Sequence, residues 1–439
     1  MILAHGLGGR SDLPVPLWMA LYAGAAAVLV SFVALAFLWK KPLLRGDKAG
    51  HPLPRPLERF ADHPVTRSIL AGLGLLALAI LLAALWLGTD DSTTNPGPTW
   101  FYVWFWIGLI PVSLLLGPIY RLANPLRTLA AALHPLLGRA RLASGLDKLG
   151  HWPAVASLGA FLWLELVHPA SDSPRVVAVF VTGYAIIMVL AGAIAGPRWF
   201  DQCDGFEVYF ILIARLSPFG RRADRRLVVR NPLDGLIAGS SKGLTPILIL
   251  VLGATTFDGV TRIPAWAELT RGLSPAVSAL SGTAALAGTI AAMGAMYALA
   301  MWLTRPYLRK TRTSQPGIDP YDAFAHTLIP LALGYTIAHY FSFAIFQGQA
   351  GYLLATDPLG QGWELLGATG SIDYTIVSTT TIAIVQVAAI ITGHIIAVAA
   401  AHDQSLRIIR PSHRSTGQFP ALALMVGYTM IGIMLVSSA

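Results

Sequence analysis

The residues of this chain best suited to chemistry are four histidines and the carboxylates near them. From Asp319 the sequence runs DPYDAFAHTLIPLALGYTIAHYFSFAIF and, after a polar loop, DYTIVSTTTIAIVQVAAIITGHIIAVAAAHD, ending at Asp403. Both apolar segments are long enough to span a bilayer. The first carries His326 and His339, the second His394 and His402. An ionisable side chain at membrane depth is costly and faces a bundle interior or a cavity, which makes each of these a candidate functional residue. Imidazole suits zinc, iron, nickel and copper, and three protein ligands leave a metal position open to water. His326, His394 and His402 are the first ligand set for such a divalent metal, with His339 a further candidate. At about 1.5 Å per residue, His326 lies about 7 Å into its segment and His339 about 27 Å. His394 and His402 lie about 30 and 42 Å along a segment running the other way, so they share a membrane face with His326.

The neighbouring groups extend this site. Asp322, four residues before His326, and Asp403, directly after His402, can orient a ligand or join the shell. Tyr335 precedes His339 by four residues and shares its helix face, as a hydrogen-bonding pair would. Asp201, Asp204 and Glu207 approach from the same side as His326, and Glu207 offers a ligand or general base. Asp322, Glu207 and Tyr335 are thus the catalytic candidates. Each has a plainer reading: the acidic run can cap its own short helix, single histidines can bond to adjacent helices, and His402 with Asp403 can mark a helix end. Glu165 and His168 form a weaker constellation whose plain reading is a solvated helix end. The histidine pairs are 13 and eight residues apart, about 20 and 12 Å, so two stacked haems do not fit, while one b-type haem does. No CxxCH or HExxH sequence and no phosphate-cradling glycine loop followed by Lys is present. A metal-dependent hydrolase, a transporter or channel with a histidine proton or metal relay, and a haem or quinone-linked redox subunit all remain open.

The elements that position these residues are membrane helices. The chain has 439 residues, 55% hydrophobic and only 12% charged, with a mean hydropathy of +0.62. That is about half the charge of a soluble domain and describes an all-α, polytopic transmembrane bundle, a single integral membrane domain in the cell membrane. Apolar runs near 16–39, 69–88, 100–117, 153–168, 175–195, 241–257, 280–303, 321–346, 374–401 and 419–437 give ten spans. The runs at 153–168 and 241–257 are the weakest, because Glu165 and His168 close the first and Pro246 interrupts the second. Pro111, Pro246 and Pro330 are expected to kink their helices. Of 31 basic residues, all but Arg10, Arg175, Arg262 and Arg271 fall in loops after odd-numbered spans. This bias puts those loops in the cytoplasm and both termini outside.

The net charge of +9 follows this topology and anionic lipid headgroups rather than nucleic acid. Segments 118–142 and 200–220 read as interfacial cytoplasmic pieces, and the aromatic run Thr99 to Gly108 as an interfacial belt. The lone Cys203 excludes an intrachain disulfide and a cysteine-cluster metal site, leaving a buried small residue as its plain role. The N-terminus lacks the charge pattern and cleavage site of a signal peptide, so the first span is expected to be retained. Taken together, LGPIYRLANPLRTL, DGFEVYFILIARLSPFGRR with RNPLDGL, and AHTLIPLALGYTIAHYF followed by ITGHIIAVAAAHD resemble a group of bacterial integral membrane proteins labelled fenitrothion hydrolase or left uncharacterised. The resemblance covers most of the chain. It implies hydrolysis of a phosphotriester, chemistry that a histidine-bound metal supports by acidifying water and polarising the phosphoryl oxygen.

Overall fold

The computed structural model describes residues 15–138, 145–237, 244–309, 319–367 and 370–437. They form an all-α polytopic helix bundle, and nine helices among them are long and apolar enough to cross a membrane. The local sequence sets their starts. Pro64, Pro174 and Pro275 occupy first-turn positions where a missing N–H costs nothing. The Ser173, Ser274 and Ser378 side chains accept from Val176, Val277 and Thr381 N–H, satisfying donors the helices leave open. Gly117 and Gly196 end two helices at φ 84° and 87°, a left-handed conformation that glycine adopts without a Cβ penalty. Large apolar side chains such as Phe37, Leu38, Leu73, Leu76 and Ile80 stand exposed on these helices, the surface a protein presents to lipid.

The expected fourth span is the one that comes out short. Trp152–Leu166 has 15 residues, about 22 Å against a hydrocarbon core of about 30 Å. Nor do the prolines break helices mid-span. Pro246 and Pro330 each stand third in their helices, Leu244–Thr261 and Leu328–Leu354, within the first turn that tolerates them. The continuous helix expected from 321 begins instead as Pro320–Ala323, passes through a 3₁₀ turn at Ala325–Thr327 and becomes α-helical at Leu328. Pro111 follows a π-helical segment, Trp100–Ile107, whose widened turns include a bond from Gly108 N–H to Val103 C=O. A wide turn relieves the clash of a proline ring with the carbonyl four residues back. Phe101 and Trp106 of this segment are buried among Phe161 and Phe206 and build a core, while Trp104 of the same aromatic run stands exposed.

The chain divides into two compact units. One contains Gly50–Pro232 and Ser342–Ile376, and the other contains Leu233–Phe341, Val377–Ala439 and the first crossing helix, Leu17–Leu38. In the first unit a small antiparallel sheet joins His51–Pro52, Leu227–Val229 and Phe219–Arg221. At and beside it Arg221 pairs with Asp62, Arg222 with Asp224 and Arg226 with Glu58. The expected interfacial segments hold short helices, Ile119–Ala123 and Pro125–Leu137, then Arg198–Cys203 and Gly205–Ala214.

In the second unit, helices Leu328–Leu354 and Thr379–Ile408 meet at glycines. A Cβ on Gly393 would stand 2.6 Å from the Pro330 carbonyl oxygen, and one on Gly334 2.7 Å from that of Ala389. Both oxygens belong to backbone and have no rotamer by which to move away. Gly393→Val is therefore expected to destabilise the protein by about 1–3 kcal/mol or more, read as a lower unfolding temperature in detergent. Gly348→Ala, at a helical position with nothing within 4 Å, should leave that temperature nearly unchanged. Equal effects from the two substitutions would mean that the close approach is absent.

Candidate functional site

His402 and Asp403 form a tether. His402 Nδ1 lies 2.9 Å from Gln418 Oε1 and Nε2 lies 2.9 Å from the Trp39 carbonyl oxygen, so both ring nitrogens are engaged. The fully buried Asp403 carboxylate accepts from Leu43 N–H at 2.6 Å, Leu44 N–H at 3.2 Å and the Trp39 indole at 3.2 Å through Oδ1. Its Oδ2 accepts from Arg407 Nε at 3.0 Å and Nη2 at 2.8 Å. The segment leaving helix Leu17–Leu38 is thereby fastened to helix Thr379–Ile408. Each ring nitrogen of His402 and each carboxylate oxygen of Asp403 is thus turned toward a polar atom of the chain.

The other histidines sit on three separate elements. His326 sits in the 3₁₀ turn that packs against helix Thr379–Ile408. His394 is fully buried, with Nδ1 bonded to the Ile390 carbonyl at 2.8 Å and the rings of Tyr335 and Tyr428 at 6.0 and 6.1 Å. Tyr335 donates its hydroxyl to the Tyr428 carbonyl at 2.7 Å, so the proton expected to serve His339 is spent on another helix. Asp322, expected to orient His326, receives the Thr245 hydroxyl at 3.5 Å. Among the described residues no three His, Cys, Asp or Glu side chains come together as a set able to hold a metal ion. The histidine set suggested by spacing is thus not assembled among the described residues.

His339 instead meets a carboxylate that its sequence neighbourhood does not announce. Its Nε2 is in direct contact with Asp258 Oδ2, and both side chains are buried. Arg262, one turn after Asp258, places Nη2 3.1 Å from the same nitrogen and 3.8 Å from the carboxylate. One nitrogen cannot serve both contacts at once. Protonated, Nε2–H donates to Asp258; unprotonated, its lone pair accepts from Arg262. The sequence signal was a carboxylate and a guanidinium at i, i+4 closing an otherwise charge-free span.

Glu207 belongs to a separate cluster in the first unit. Asn124 and Asp204 cap facing helices: the Asn124 side-chain oxygen accepts from Leu126 and Arg127 N–H, and Asp204 accepts from Phe206 and Glu207 N–H. The Asn124 amide nitrogen bridges Asp204 at 3.0 Å and Glu207 at 2.8 Å. Arg127 grips Glu207 with Nη2 at 2.5 Å and Nε at 3.1 Å, and reaches Asp201 at 2.7 Å. Tyr184 donates to Asp204 at 2.6 Å. Capping, the plainer reading of this acidic run, is therefore observed for Asp204, while Glu207 is held in an ion pair. Glu165 is buried rather than placed at a solvated helix end, whereas Cys203 is a buried thiol as its plain reading had it.

No family model matches the chain, and no curated protein or solved structure matches it either.

Burial pushes the Asp204 and Glu207 carboxyls above their ordinary values, while Tyr184, Asn124 and Arg127 pull the other way. A raised carboxyl pKa favours the neutral form in the folded state. Its contribution to stability is present at low pH and is lost as pH rises from about 4 through the raised value. Asp204→Asn keeps a capping oxygen and cannot ionise. The wild type should thus lose thermal stability across that rise and the variant should lose less; an unchanged slope would mean that Asp204 is ionised throughout.

Proposed function

We propose that the chain is a multi-pass transport protein of the cell membrane in which the His339–Asp258 pair takes up and releases a proton. The observation that carries this reading is the competition of one imidazole nitrogen between Asp258 and Arg262. A proton arriving on Nε2 makes an imidazolium that pairs with Asp258 and repels the guanidinium. Its departure restores a lone pair to which Arg262 donates. Protonation therefore selects between two arrangements at the end of helix Leu244–Thr261, and such a two-state element is what proton-coupled transport needs. Histidine and carboxylate pairs buried among apolar helices recur in proton relays of pumps and transporters. On this reading both termini face outward and the basic loops lie against anionic headgroups in the cytoplasm.

Everted vesicles energised to an acid interior provide the test, with acridine orange reporting the gradient. Inorganic cations, organic cations and organic anions are added in turn. Vesicles holding the wild type should release the gradient with one solute class, and Asp258→Asn and His339→Gln should reduce that release to background at equal protein content. A gradient held against every solute, or one released equally by Asp258→Asn, would contradict the reading. Phosphotriester hydrolysis by the purified protein, lost in Asp258→Asn, would displace it in favour of general-base chemistry at the pair.

A further inference from the structure

Helix Arg55–Asp62 carries an apolar face that no other part of the described chain covers. Its sequence, RPLERFAD, places Pro56, Leu57, Phe60 and Ala61 on one side at helical spacing, and Arg55, Glu58, Arg59 and Asp62 on the other. The two acids are held by the sheet region and the next helix. Glu58 pairs with Arg226 at 2.7 Å, and Asp62 with Arg221 at 2.6 Å and Arg67 at 2.7 Å. These contacts fix how the helix is rolled. Leu57 is left 54% exposed and Phe60 68%, and no residue of the helix is buried. Arg55 and Arg59, one turn apart, are exposed as well and make no ion pair among the described residues.

What covers that face follows from the helix beside it. His63, at an extended ψ of 135°, turns the chain, and Pro64–Leu87 begins at once, long and apolar enough to cross a membrane. Its exposed side chains Val65, Ile69, Leu73, Leu76 and Ile80 recur at three- and four-residue spacing, a stripe that faces lipid. The stripe starts at Val65, just after the short helix ends, so Leu57 and Phe60 stand where acyl chains give way to headgroups. A helix with apolar residues opposite basic ones lies in that plane, its apolar side among acyl chains and its cations at the level of the phosphates. We propose that helix Arg55–Asp62 is an in-plane binding site for anionic phospholipid, with Leu57 and Phe60 inserted in the leaflet and Arg55 and Arg59 on the headgroup phosphate. The basic loops at large meet headgroups by charge alone, whereas here insertion and charge act together. The site is a claim about binding and does not depend on proton exchange at His339.

A nitroxide label on Phe60→Cys reports the depth of this face. The native Cys203 is buried, and wild type carried through the same labelling supplies the background. Full-length protein is placed in lipid nanodiscs, open to solvent on both faces, of phosphatidylcholine alone or mixed with phosphatidylglycerol. Collisions of the label with oxygen, which gathers among acyl chains, are compared with those of a water-soluble nickel chelate. In the mixed discs oxygen should dominate. Omitting phosphatidylglycerol, or combining Arg55→Gln with Arg59→Gln, should shift the ratio severalfold toward nickel. Inorganic phosphate added to the phosphatidylcholine discs should leave the ratio unchanged. A label open to nickel in the mixed discs, or equal ratios in the two kinds of disc, would overturn the proposal. Recovery by free phosphate would overturn it in favour of a soluble anion, and shielding from both reagents in favour of a partner protein. Leu57→Cys, on the same face, gives the same readout should Phe60→Cys fail to fold.

Discussion

Backbone and side-chain polar groups removed from water must find partners within the chain, and lipid makes that requirement absolute. Much of the described structure follows from meeting it. The Asp403 carboxylate gathers two backbone N–H groups, an indole and a guanidinium at the point where the chain leaves its first crossing helix. Asn124 and Asp204 satisfy open donors at two helix starts and are then bound to each other through the Asn124 amide. Breaking such a charged contact by removing one partner leaves the other buried and costs about 3–5 kcal/mol. These groups read as fasteners, each fully employed.

Against that background the groups that are over-subscribed or under-subscribed stand out. His339 Nε2 has two claimants, Asp258 and Arg262, that cannot be satisfied together. His394 Nε2 has none. A fastener gains nothing by such competition, whereas a group that exchanges a proton needs alternative partners.

The sequence showed the membrane helices plainly, because long apolar runs set off by Ser-Pro starts and glycine ends leave few other folds. It misjudged the run 153–168, where the helix Trp152–Leu166 stops two residues before the apolar run does and is too short to cross. It also grouped four histidines that the structure does not bring together as a metal-holding set among the described residues. Depth along a helix says which residues share a level, yet not which way a side chain turns. His402 turns to Trp39 and Gln418, and His394 to its own helix carbonyl and two tyrosine rings. Asp258 was hidden because its partner is far along the chain; Glu207 was singled out, but its ion pair was not foreseen, because Asn124 and Arg127 read as parts of an interfacial segment.

On the proposed reading His339 and Asp258 act as one unit. A double-mutant cycle with His339→Gln, Asp258→Asn and the double variant, measured as unfolding free energy in bilayer-like micelles, tests it most directly. The account predicts a coupling energy of about 1–3 kcal/mol, with the second substitution costing much less once the first is made. Additive costs, with a coupling near zero, would contradict it.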